Sequence, residues 1–157
     1  MRRSPGQSLL YAVLLLPTLM LVFALAVDVS VLQMERLQLR DAVDLAAIAA
    51  ATSVDTTSYT SSGRLLLDPR AADASAHEYL GRNLARIANL PDPTGIAQRA
   101  DVVVMNQVPA IDPFNGQRLQ RPSVAIRIQL PHRFELLRWI GLNSVAVTVA
   151  STAQIRT

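Results

Sequence analysis

From Leu9 to Val27 the chain reads LLYAVLLLPTLMLVFALAV, 19 residues without a charge. As a helix rising 1.5 Å per residue this run covers about 28 Å, close to the hydrocarbon thickness of a bilayer. No other stretch limits the fold so tightly. It ties one end of the chain to a membrane and leaves the polar remainder, from Asp28 onward, to fold beside that membrane.

The run has three fates open to it: a retained anchor, a signal peptide, or a pilin-type segment that passes from membrane to filament. Arg2 and Arg3 make a basic head, and Ala24-Leu25-Ala26 fits a small-x-small cleavage pattern. A signal core, however, is about 7–15 apolar residues, shorter than this run. Helix-forming sequence also continues past the cleavage pattern, since no Gly or Pro occurs from Val31 to Ala51. The expectation is therefore a single retained span, continuous with a helix that reaches about Ala51. Asp28 then lies at the membrane exit, inside that helix and facing outward. Pro17, mid-run, removes one backbone donor, and Thr18 beside it can satisfy a freed carbonyl. The arginines at the head place the N-terminus in the cytoplasm and the rest in a periplasmic or extracellular space.

Beyond the span there is room for one small domain. With no cysteine, no disulfide staples it. The net charge of +3 is scattered, and the basic residues are not interleaved with aromatics, so nucleic-acid binding is not expected. Ala42, Ala46, Ala47, Ala49 and Ala50 form a small-residue strip on the first helix that can pack on the protein's own domain or on another helix, and it is the expected partner surface. Arg40 and Asp44 are spaced to pair on that helix. The Ser/Thr-rich segment from Thr52 to Gly63 reads as a loop. Asp68-Pro69 is a helix start, with Asp as cap and Pro in the first turn, and it opens an amphipathic helix with Ala72, Ala76, Tyr79, Leu80, Leu84, Ile87 and Ala88 on one stripe. The Leu-Pro-Asp-Pro-Thr-Gly that follows reads as a loop.

After Gly95 the period changes to two. Val102 and Val104 mark one strand. The clearest strand alternates Val124, Ile126, Ile128 and Leu130 with polar or small neighbours. Val145, Val147 and Val149 mark the last. A turn at Asn115-Gly116 breaks the long connection between the first two, and a short apolar helical turn from Phe134 to Ile140, closed by Gly141, separates the last two. The fold class is α+β: a long transmembrane helix (residues 1–28 being head and span) running through residues 29–51 into an exported domain, 29–157, with a second helix and about three antiparallel strands.

The catalytic inventory is thin. His77 and His132 are far apart, and His77-Glu78 lacks the second histidine of a zinc helix. There is no phosphate loop and no nucleophile elbow. Asp112-Pro-Phe-Asn-Gly lacks the oxygen ligands of a calcium loop and reads as a turn. Trp139, the only tryptophan, reads as a packing residue. No enzyme, metal, cofactor or small-molecule substrate is expected.

The order of features in the first 50 residues or so resembles the TadE/TadG-like proteins of the tight-adherence (Flp) pilus. These are minor pilin-like membrane proteins. The residues that carry the resemblance are the head ending in Gly6-Gln7, the apolar run with its proline, Ala26-Val27-Asp28, Glu35-Arg36-Leu37-Gln38, and the stretch from Asp41 to Ala51. The last strand, ending Val149-Ala150-Ser151-Thr152-Ala153, is loosely similar. The resemblance implies a structural or assembly component of a pilus or related secretion machine, in the bacterial inner membrane. Its partners would be the lipid bilayer and other proteins of that machine. It also implies a processing site between Gly6 and Gln7, but the glutamate expected five residues after the glycine is replaced by Tyr11. That departure fits a permanent anchor better than a cleaved subunit, with release of a secreted domain after Ala26 as a further alternative.

Overall fold

A helix of 46 residues, α1 (Pro5–Ala50), takes up the apolar run and continues past Asp28 without interruption. The computed structural model describes residues 5–155, and for residues 5–10 and 12 the backbone alone. Arg2 and Arg3, which carry the orientation expectation, lie outside the described residues, as do the side chains of Gln7 and Leu9. At Pro17 the helix persists. Thr18 Oγ1 donates to the Leu14 carbonyl at 3.1 Å, beside the Val13 carbonyl that loses its donor to the proline.

After α1 come α2 (Thr56–Ser62), α3 (Pro69–Leu84), α4 (Pro93–Gln98), β1 (Asp101–Met105), β2 (Ala110–Ile111), β3 (Arg118–Leu119), β4 (Ser123–Arg133), a 3-10 turn (Leu137–Ile140) and β5 (Ser144–Gln154). The larger sheet has the order β1-β4-β5, and β2 pairs with β3 in a small hairpin. The fold is α+β with antiparallel sheets. The chain divides into two compact units: Met1–Glu35 with Pro131–Ala146, and Arg36–Leu130 with Val147–Thr157.

The second unit holds most of the core. The C-terminal part of α1 supplies Leu39, Ala42, Val43, Ala46, Ala47 and Ala50, all buried. Asn83 of α3 donates to the Ala42 carbonyl at 3.3 Å. The α3 stripe is buried at Ala72, Ala76, Leu80 and Leu84, and this helix contacts α4 and β1. Tyr79, placed on that stripe by its spacing, is instead 42% exposed. The helix also stops at Leu84, short of Ile87 and Ala88, where a tighter turn begins with the Ile87 amide bonding the Leu84 carbonyl at 3.0 Å. β1 and β4 are antiparallel, with Val103 opposite Ala125. Val124, Ala125 and Ile126 are buried in succession, so the alternation read in β4 holds only from Arg127 on. A strand covered on both faces reads as a continuous apolar run.

Two segments read as loops are helical. In α2, Asp55 caps the N-terminus by accepting from the Thr57 and Ser58 amides. The hydroxyls of Thr60, Ser61 and Ser62 bond back to carbonyls one turn earlier, which satisfies side chains that would otherwise compete with the helix. In α4, Asp92 caps and Pro93 occupies the first turn, the same signal as Asp68-Pro69. Gly95 leaves room for that cap, because a Cβ on it would come within 1.9 Å of the Asp92 carboxylate and displace it. Its amide donates to that carboxylate at 3.0 Å.

Candidate functional site at the helix exit

The apolar part of α1 presents its side chains outward. Leu14, Leu16, Met20 and Phe23 are each about two-thirds exposed, at 64%, 62%, 67% and 69%. A helix this long and this apolar can cross a membrane, although a signal sequence near an N-terminus meets the same criterion. Its first residue beyond the apolar run, Asp28, behaves differently from every neighbour.

Asp28, expected at the membrane exit within a continuous helix, has a tertiary role that the sequence does not announce. Asp28 is 3% exposed. Its carboxylate accepts the Leu137 amide at 2.7 Å and the Leu136 amide at 3.0 Å, both at the start of the 3-10 turn. A carboxylate removed from water is costly unless it is hydrogen-bonded, and these are charge-assisted bonds to donors that would otherwise be orphaned. The helix is still continuous through Asp28, but its side chain is a tertiary cap for a turn 108 residues away. No periodicity signals such a partner.

Two turns further along α1, Glu35 pairs with His132. His132 is buried, and its ring meets Phe134 edge-on with centroids 5.4 Å apart. Sequence spacing did not connect these residues either. Together Asp28 and Glu35 fasten α1 to residues 131–146 of the same unit at two heights.

Within the second unit, the expected helix-packing strip is buried in its own fold: Ala42 is 4% exposed, and Ala46, Ala47 and Ala50 are fully buried. Ala49 is half-buried. Of the two readings of that strip, burial favours the internal one. The exposed side of the same helix segment carries Leu37, Leu45 and Ile48, at 63%, 55% and 56% exposure, with Asp41 between them. Asp44 and Ile48 line a shallow groove with Ala51, Thr52 and residues 151–154 of β5. Arg40 and Asp44 approach to 3.9 Å as their spacing predicts. With both side chains in water this pair adds little.

The remaining candidates resolve into structure. His77 Nδ1 lies 2.7 Å from the Ala97 carbonyl, and Glu78 pairs with Arg82. Asp112 is buried; its carboxylate accepts the Phe114 amide at 2.8 Å and the Thr152 hydroxyl, forming the turn expected from Asp112-Pro-Phe-Asn-Gly. Among the described residues, no three His, Asp or Glu side chains gather as a metal would require. Trp139, read as a packing residue, is 83% exposed.

Fold and exit geometry define a class: a membrane-capable N-terminal helix that is fastened at its exit and continues into an α+β domain. Residues 6–53 match the family model described as Flp pilus-assembly TadE/G-like, which bears out the resemblance over that segment. Comparison with curated proteins gives no match, and neither does comparison with solved structures.

Proposed function

We propose that the chain is a membrane-anchored structural component of a Tad/Flp-type pilus or related secretion machine, acting by protein–protein packing and not by catalysis. The observation that carries this reading is the coincidence of the TadE/G-like match, residues 6–53, with α1, Pro5–Ala50. Up to Ala50 the matched segment is one uninterrupted helix, whose first half suits a bilayer and whose second half is built into an exported domain. The N-terminus lies in the cytoplasm and the domain lies outside. Retention as an anchor is favoured over cleavage after Gly6 because Tyr11 stands where a processed pilin carries glutamate.

The partner surface is the exposed face of α1 in the second unit, Leu37, Asp41, Leu45 and Ile48, because the alanine strip is occupied by its own core. Apolar side chains at helical spacing in water suit the face of another helix. The test pairs two kinds of variant. Leu45→Glu and Ile48→Glu should abolish pilus assembly or co-purification of partner proteins while the domain stays folded and membrane-bound. Ala46→Leu should instead destabilise the domain itself. If the glutamate variants assemble normally, this surface is the wrong one. If Ala46→Leu leaves the fold intact and blocks assembly, the alanine strip is the interface after all.

A further inference from the structure

The first unit carries an apolar tip that its own residues leave uncovered. Trp139, Ile140 and Leu142 are 83%, 55% and 52% exposed, clustered on the 3-10 turn and around Gly141, whose φ of 89° turns the chain back. The position of this tip along α1 is set by the bonds from the Leu136 and Leu137 amides to Asp28, the first residue beyond the apolar run. Trp139 follows Leu137 by two residues. Even a fully extended residue advances only about 3.3–3.6 Å, so the Trp139 backbone lies within about 10 Å of the Asp28 carboxylate, whichever way the turn points. Interfacial segments bury their apolar faces about 5–10 Å into the headgroup boundary. With α1 leaving the hydrocarbon at Asp28, the tip is within reach of that boundary.

The chemistry of the tip matches that depth. Tryptophan combines a large apolar ring with one N–H donor and concentrates at the membrane–water boundary. Arg133 and Arg138 are exposed on the same segment and can lay their stems on lipid while their guanidinium groups meet anionic headgroups. We propose that Trp139, Ile140 and Leu142 insert into the lipid headgroup region of the leaflet that faces the exported domain, as a second membrane contact beside the span. This rests on the reading of α1 as a retained membrane helix. A lipid occupant follows from continuity: the tip is bonded to the helix at the end of the apolar run.

Trp139 is the only tryptophan, so intrinsic fluorescence reports on the tip without labelling. The full chain would be reconstituted into phosphatidylcholine–phosphatidylglycerol vesicles and floated, with iodide present on both sides of the membrane. The expected result is co-flotation with blue-shifted emission and iodide quenching several-fold below that of free tryptophan. Lipids bearing a nitroxide near the headgroup should quench more strongly than lipids labelled deep in the acyl chain. The double variant Ile140→Glu/Leu142→Glu should float equally well but regain iodide quenching. A protein that floats with water-like emission and full iodide quenching overturns the tip proposal alone. A protein that does not float overturns the span reading as well. Protection that vanishes on dilution into excess lipid, with lipid quenchers silent, means a second copy covers the tip, and overturns the lipid assignment.

Discussion

Asp28 shows how much a single residue can hold in this chain. Its carboxylate is held by backbone amides, those of Leu136 and Leu137. Hydrogen bonds to a charged group contribute about 1.5–3 kcal/mol net. Asp28→Ala should therefore speed hydrogen exchange at the Leu136 and Leu137 amides roughly 10- to 150-fold, read in the membrane-reconstituted protein, while α1 remains helical. Unchanged exchange would mean that neighbouring packing, and not the carboxylate, holds the turn. At Gly95 the constraint is steric. Gly95→Ala should push the Asp92 carboxylate aside and remove the α4 cap, a loss of about 0.5–2 kcal/mol in urea unfolding. Asp55 adds a pH dependence. The Ser58 hydroxyl, followed by the Ser58 and Thr57 amides, holds its carboxyl below the usual value of 3.8. A folded-state pKa lowered in this way contributes stability that is complete above the unfolded value and is lost as pH falls through the folded one. Amides of the first turn of α2 should thus lose protection below about pH 4 and keep it at neutral pH.

At the scale of elements, α1 does two jobs with one helix. Beyond the exit its alanine face is core and its leucine and isoleucine face is open. Ala46→Leu adds volume where none is free and should cost about 1–3 kcal/mol, measured by denaturant unfolding. Leu84→Ala, on the buried stripe of α3, should cost about 2–5 kcal/mol in the same measurement. A change within error would show that α3 is only loosely held. α1 was legible from its uncharged apolar run and the helix-forming sequence after it, α3 from its helical period, and β4 from an alternation that holds from Arg127 on. The existence of α2 and α4 was less so. Asp92-Pro93 carried the same start signal as Asp68-Pro69, but six helical residues are too few to show a period. In α2 the polar composition pointed to a loop, and the structure overrides it by turning hydroxyls onto the helix's own carbonyls.

For the whole molecule, the proposal of a retained anchor predicts that carbonate washing leaves the protein in the membrane fraction and detergent releases it. Sequencing the mature N-terminus distinguishes the fates: Met1 for the anchor, Gln7 for pilin-type processing, Val27 for a released domain. Recovery of a soluble product starting at Val27 would remove both the anchor and the lipid-inserted tip. The two fastenings of α1 within the first unit, at Asp28 and Glu35, give the anchor reading a further mechanical sense. They tie a segment more than 90 residues downstream to the helix just beyond its exit.

The sequence by itself determined the membrane-capable helix, its extension past Asp28, the α+β class and the TadE/G-like resemblance. Each of these depends on composition or short-range periodicity, which backbone geometry reads directly. Tertiary structure alone decided which face of α1 is buried, that Asp28 caps a distant turn, that Glu35 meets His132, and that Trp139 stays outside. Those outcomes depend on which surfaces meet when the chain closes, and small residues such as alanine suit either an inner or an outer contact. A carboxylate likewise reads the same in sequence whether water or a pair of backbone amides satisfies it.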